Sequence, residues 1–332
     1  MSTAIDVIAT TVSGSISDWG KVKRIQPLFK EHGYDDLRLH VAETHAEARA
    51  QACGLAAEGR RLLISAGGSG TFNAVLEGCC DAGVPLGDIR LGFLRKGSAD
   101  LLGKVLGMPD DIQEAVAVFA QSIRAGHVMP CDVLATLDET GNAPPRHFVG
   151  YGGAEIFGRI PHFTENRFMK WYKGVLSQVF GDLGPFTTGM TLALIEKLAK
   201  GPFGRRSWRI VADGQNVAAG RYQALIVVNG HMGPDMPYSD DALGSGRFHL
   251  FALRDLGAGR LLGQARRARD GSIMQDPDRW GMEHHTISDT LRLESDGRRP
   301  FPLNVDGSTL LCRGAAVISR VGSINLIARV SD

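Results

Sequence analysis

RLLISAGGSGTFNAVLEGCC, residues 61–80, decides how this 332-residue chain reads. Leu62 to Ala66 is a short apolar run of the kind that forms a strand buried on both faces. The glycine-rich turn Gly67-Gly68-Ser69-Gly70-Thr71 follows at once, and an apolar run with helical spacing follows the turn. A strand that passes through such a turn into a helix points several backbone N–H groups at one place, and the helix N-terminus adds partial positive charge there. The expected ligand is an anion, a phosphate above all. Glycine suits the turn because it lets the backbone take φ > 0 and approach the ligand closely.

The same strand–helix alternation extends to both sides of this stretch. Ala4 to Thr10 reads as a buried first strand, Trp19 to His32 as a helix, and Leu37 to Val41 as a second strand. Thr44 reads as the N-cap of a helix through Ala57, with Glu47 completing a capping box. The alternation returns at Ile89 to Gly107 and at Asp111 to Ala125. Strands and helices at this spacing predict a doubly wound parallel sheet covered on both faces. Beyond Gly126 strand-like runs between Gly-, Asp- and Pro-rich turns take over, which predicts a mainly antiparallel β-sandwich. The expected division is therefore an α/β domain over residues 1–127 and a β-rich domain over residues 128–332. A helical segment is expected near residues 164–200, and the extreme C-terminus is left free to return to the first domain.

Composition narrows the classes. With 43% hydrophobic and 22% charged residues the chain is an ordinary globular protein, and a formal net charge of +1 argues against broad capture of nucleic acid. Five cysteines without a CxxC pair read as reduced thiols of a cytoplasmic protein, and the adjacent Cys79 and Cys80 as helix packing. No signal peptide and no membrane-spanning run is evident. His284 and His285 are neighbours on a strand, point to opposite faces, and so cannot share a metal. The aromatic-rich stretch Phe157 to Met190 reads as core packing, with an acyl-chain pocket as the alternative.

Further segments carry a family resemblance. TTVSG at Thr10 to Gly14, GGSGTFNAVLEG at Gly67 to Gly78, RKGSADLLG at Arg95 to Gly103, VNG at Val228 to Gly230 and DGS at Asp306 to Ser308 occur in this order. In that order they resemble the diacylglycerol kinase and sphingosine kinase family, relatives of NAD kinase. The resemblance implies an NAD kinase-like α/β domain followed by a β-rich substrate domain, with ATP as cofactor and a lipid hydroxyl as acceptor. It implies nucleotide contacts from Thr10, Thr11, Ser13, Thr44, Gly67, Gly68, Ser69, Gly70, Thr71, Asn73, Arg95, Lys96, Gly97 and Ser98. Asp100 or Asp306 is left to act as base or metal ligand.

The family's acids are largely replaced. Ser69 stands where its glycine turn has aspartate, Ala74 where glutamate follows the asparagine, and Ser308 where its DGE turn has glutamate. An ungapped match puts Asp100 on the asparagine and Leu101 on the aspartate of the GTxND segment; a one-residue gap puts Asp100 on the aspartate. Ser245 to His249 takes the place of a metal loop without its carboxylates, so no metal ligand is assigned and Mg²⁺ is in question. Arg95 and Lys96 replace a proline-containing segment and add cations, a composition suited to holding an anion without metal. Two readings follow: an ATP-dependent kinase of a diacylglycerol, sphingoid base or ceramide type of lipid, or a catalytically degenerate relative that binds a nucleotide, a phosphorylated lipid or a protein. A lipid substrate implies peripheral contact with the membrane inner face, although no amphipathic anchor is evident in the sequence. A homodimer is left open.

Overall fold

The computed structural model describes residues 4–10, 19–95, 101–140, 144–165, 192–193, 196, 206–297 and 299–330. The first half alternates as its sequence predicts: β1 (Ile5–Thr10), α1 (Trp19–Glu31), β2 (Leu37–Ala42), α2 (His45–Ala57), β3 (Leu62–Gly67), α3 (Ser69–Asp81), β4 (Arg90–Arg95), α4 (Leu101–Val105) and α5 (Ile112–Ala125). β1 and β3 are buried along their whole length, which fits their unbroken apolar runs. Asp111 caps α5 by accepting from the N–H groups of Gln113 and Glu114, and Gly126 closes it in the left-handed region. Ala48, Ala52 and Ala56 line the buried face of α2, and Gly78 of α3 meets that stripe. A Cβ at Gly78 would overlap the Arg49 carbonyl oxygen, so glycine sets how closely the two helices approach.

The second half comprises β5 (Met129–Asp138), β6 (Arg146–Phe148), β7 (Tyr151–Glu155), α6 (Ile156–Glu165), β8 (Trp208–Ala212), β9 (Gln215–Gly220), β10 (Tyr222–Val228) and β11 (Phe248–Arg254). Two helices, α7 (Ala258–Arg269) and the single turn α8 (Pro277–Trp280), precede β12 (Met282–Ile287), β13 (Thr290–Ser295), β14 (Phe301–Val305), β15 (Ser308–Cys312) and β16 (Ala315–Leu326). Most of the helical segment expected near residues 164–200 lies outside the described residues. α7 has no counterpart in the sequence reading.

The strands form two sheets. One runs β2-β1-β3-β4-β16-β13-β8-β9, with β5 along β16 and β6 along β5; the other runs β12-β11-β10-β7-β14-β15. β2, β1, β3 and β4 are parallel, and the antiparallel strands join them through β16. β16 pairs with β13 over its first residues and with β4 at Asn325 and Leu326, while β5 follows its other edge. A register shift between Arg320 and Gly322 lets one strand serve both neighbours. Leu225, Val227, Phe248, Leu250 and Leu303 of the second sheet pack with Ile210, Leu291, Leu293 and Ile318 of the first, the filling of a β-sandwich. The opposite face of the second sheet, with Ile226, Phe251 and Leu253, joins the larger core of the α/β half.

Candidate functional site

Thr10, Gly67 and Arg95 end β1, β3 and β4 at one level, since Ala9 pairs with Ala66 and Gly67 with Arg95. These are the carboxyl ends of parallel strands, where open α/β sheets take their ligands. Gly68 caps α3, and its carbonyl accepts from the N–H groups of Thr71 and Phe72. Ser69 and Gly70, the first residues of the helix, have N–H groups with no acceptor inside it. Gly68 has φ −87, and none of the turn's glycines has positive φ, so the conformational reason inferred from sequence is incorrect. Close approach is the reason instead. A Cβ at Gly67 would overlap Thr71 Oγ1, and one at Gly70 would sit 2.8 Å from His45 Cε1. Thr71 turns its hydroxyl inward onto Thr10, with the two Oγ1 atoms 2.5 Å apart and buried. That bond ties the end of β1 to α3 and leaves the backbone amides as the outward face of the turn.

A second helix N-terminus meets the first. Thr44 caps α2 by accepting from the Glu47 N–H at 3.0 Å, while Glu47 Oε2 accepts from the Glu43 N–H at 2.7 Å. The next residue, His45, lays its ring against Gly70. Partial burial lowers its pKa from 6.5, which favours the neutral imidazole at pH 7. Sequence reasoning passed over His45 because a histidine at the start of a helix has no motif of its own. The signal available was Gly70, whose lack of a side chain admits the ring.

The opposite wall comes from the β-rich half. Asp306 and Gly307 turn between β14 and β15 with φ +43 and +84, a left-handed pair that aspartate and glycine tolerate. Asn73 on α3 donates to the Asp306 carbonyl at 3.0 Å, and a Cβ at Gly307 would lie 4.0 Å from Ser69 Oγ. The turn therefore abuts the N-terminus of α3, and Asn73 joins the two. The Asp306 carboxylate is committed to the backbone: Oδ2 accepts from the N–H groups of Val149 (3.0 Å) and Gly150 (3.1 Å), and Oδ1 from that of Tyr151 (2.7 Å). Burial pushes this carboxyl upward and the three donors pull it down, leaving it above the usual 3.8. Asn229 of the VNG turn likewise faces structure, donating to the carbonyls of Asp132 (2.7 Å) and Val149 (2.8 Å).

Other charges near the junction are also engaged. The Arg95 side chain is 5% exposed, donates to the Met108 carbonyl at 3.0 Å and lies 3.3 Å from Asp110. It anchors the loop after α4. Glu77, one turn along α3 from Ala74, is buried and accepts from Arg146 Nε (3.0 Å), the His147 N–H (2.9 Å) and His147 Nδ1 (2.9 Å). Burial pushes its pKa up, but His147 and Arg49 outweigh that and hold it below 4.5. Lys104 on α4 reaches Asp235 in the β10–β11 connection at 2.5 Å, a further tie between the halves. Thr11, Ser13, Lys96, Gly97, Ser98 and Asp100 lie outside the described residues. Among the described residues no cluster of three or more His, Cys, Asp or Glu could hold a metal. His284 stacks on Phe251 and meets His249 at 3.1 Å, apart from this junction.

Comparison with known proteins agrees with this geometry. Residues 5–135 match the model of the diacylglycerol kinase catalytic domain. A solved diacylglycerol kinase from Bacillus anthracis str. Sterne is 16% identical, with a TM-score of 0.66 over 98% of this chain and 97% of its own. Two further structures from that organism, each provisionally described as a diacylglycerol kinase, are both 18% identical with TM-scores of 0.72 and 0.71. They cover 98% of this chain and 95% and 97% of their own. No curated protein matches the chain. The expected fold, an α/β domain followed by a β-rich domain, is thus observed among the described residues.

Proposed function

We propose, from the match of residues 5–135 to the diacylglycerol kinase catalytic-domain model, that the chain phosphorylates a lipid hydroxyl with ATP. The observation that carries this reading is the junction itself. The open N-terminus of α3 faces the Asp306–Gly307 turn of the β-rich half, joined by Asn73. Phosphoryl transfer relies on positioning and charge stabilisation, and backbone donors held at the junction of the two halves suit both. The N–H groups of Ser69 and Gly70 hold a phosphate, with His45 and Ser69 Oγ beside them, and the family resemblance assigns Thr10, Thr11 and Ser13 to the nucleotide. ATP, when bound, supplies the phosphoryl group. By the family resemblance Gly97 and Ser98 are assigned to that group and Asp100 to accepting the acceptor's hydroxyl proton. Asp306 is assigned to positioning, because its carboxylate already accepts three N–H donors. The described residues do not fit a carboxylate-bound Mg²⁺, since Ser69 and Ser308 replace two acids and Asp306 is engaged. No step is therefore routed through a metal.

The same replacements favour a second reading, in which the cleft binds a nucleotide, a phosphorylated lipid or a protein without transfer. Titration with ATP in the presence and absence of Mg²⁺, followed by transfer of labelled phosphate to diacylglycerol, sphingoid base and ceramide, separates the two. The kinase reading expects ATP binding and labelled lipid. Binding without labelled lipid, together with transfer gained on changing Ser69→Asp, Leu101→Asp and Ser308→Glu, favours the second.

A further inference from the structure

His45 stands where two helices begin. It is the first residue of α2, directly after the Thr44 cap, and its ring lies against Gly70 in the first turn of α3. A Cβ on Gly70 would fall 2.8 Å from His45 Cε1 and 3.1 Å from Nε2, so the glycine is what admits the imidazole to this place. The residue is exposed, and its ring nitrogens have no hydrogen-bond partner among the described residues. The charged groups on the elements around it are otherwise engaged. Glu47 accepts from the Glu43 N–H, and Arg49, one turn along α2, pairs with Asp81 and with Glu77 of α3. Across the junction the Asp306 carboxylate turns inward to three backbone N–H groups. Ser69, beside Gly70, brings a hydroxyl and no charge.

We propose that His45 is a proton-linked phosphate-binding residue, neutral in the empty site and protonated when the phosphate chain of a nucleotide settles on the N–H groups of Ser69 and Gly70. The two helix starts carry partial positive charge, which disfavours a further cation beside them. Partial burial of the ring acts in the same direction and lowers its pKa from 6.5. An arriving anion reverses that surrounding, and a nearby negative charge favours imidazolium. The charged ring then donates to a phosphate oxygen, a stronger bond than a neutral donor makes. The proton comes from solvent and returns to it when the nucleotide leaves. Linkage fixes the sign: affinity rises as pH falls through the pKa of the bound state, and levels off below the lowered pKa of the free protein. The inference rests on the nucleotide-binding reading above and adds a pH dependence that backbone amides and hydroxyls do not supply.

The test is calorimetric titration of the full chain with ATP, and separately with inorganic pyrophosphate, between about pH 6 and 8, the range that brackets histidine. Each titration is run in two buffers of different ionisation enthalpy, without Mg²⁺ and then with Mg²⁺ at saturation. The phosphate chain itself titrates in this range. The share of His45 is therefore the difference between the parent and His45→Gln, which keeps a donor but cannot take up a proton. At about pH 6 the parent is expected to bind about fivefold tighter than the variant, the scale of one partly exposed charge pair at a helix start, with the gap closing towards about pH 8. It should also take up more protons on binding than the variant does. The ring is exposed, so thermal melting of His45→Gln should match the parent. Equal pH dependence and equal proton uptake in the two proteins overturn the inference and leave nucleotide binding standing. Absence of binding by either probe at every pH overturns both.

Discussion

The two turns that meet at the junction use their polar groups in opposite ways. At Gly67 to Thr71 the side chain goes inward, Thr71 to Thr10, and the first amides of α3 face out. At Asp306 and Gly307 the carboxylate goes inward to three backbone N–H groups, and the Asp306 carbonyl accepts Asn73 from across the junction. One turn leaves the first amides of its helix without an acceptor inside it, and the other is a clasp already closed on its own chain. Survival of a motif's letters is thus a separate matter from survival of its chemistry. GGSGT lacks the acid that the resemblance expects yet keeps its donors, whereas DGS lacks the expected glutamate and engages the aspartate it has.

Breaking the clasp should have the largest effect. Asp306→Ala strands three N–H donors and places alanine at φ +43, and should cost about 2–4 kcal/mol in denaturant unfolding. Asp306→Asn keeps an acceptor and tolerates that φ, and should recover more than half of the loss. If Asp306→Asn leaves stability untouched and selectively abolishes transfer, Asp306 is a catalytic group and the contrast between the turns collapses.

The open turn should respond less. Gly67→Ala forces a Cβ into Thr71 Oγ1 and should cost about 2 kcal/mol by overpacking. ATP affinity, measured calorimetrically, should fall by about tenfold as the amides shift. Unchanged ATP binding would locate the nucleotide elsewhere.

The smallest effect sharpens the comparison through pH. Glu77 is held below 4.5, so the stability it contributes is present above that value and lost as pH falls through its lowered pKa. Asp306 is raised above 3.8, so its contribution is full below that value and declines as pH rises through its raised pKa. Below pH 4.5 Glu77→Gln should flatten the acid side of the denaturation profile, and above pH 3.8 Asp306→Asn should flatten the opposing slope. Parallel profiles for the two variants would contradict the opposite environments drawn for these acids.

The α/β half was legible because its strands are unbroken apolar runs and its helix starts carry caps, Thr44 and Asp111 among them. The strands of the second half were legible from their turns, such as Ser288–Asp289 between β12 and β13. α7 escaped because adjacent leucines among arginines and glycines make no apolar stripe. Buried Gln264 holds it through two carbonyls, which no hydrophobic period reports. At the junction the glycine turn was legible as a place but not in its mechanism. Arg95 was read as a site cation because nothing in a strand-end arginine reveals that it turns onto the Met108 carbonyl. Side-chain direction there depends on where the loop after α4 packs.

β16 has a consequence for how the chain is made. β4 is complete early in synthesis, yet its outer neighbour at Asn325 and Leu326 emerges only after most of the chain has been translated. Until then the α/β half carries an unpaired strand edge beside buried Leu91 and Phe93, a template for pairing with another nascent chain. Polypeptides released before β16 should therefore self-associate, and a chaperone that covers β4 should matter most while the ribosome is reading the second half.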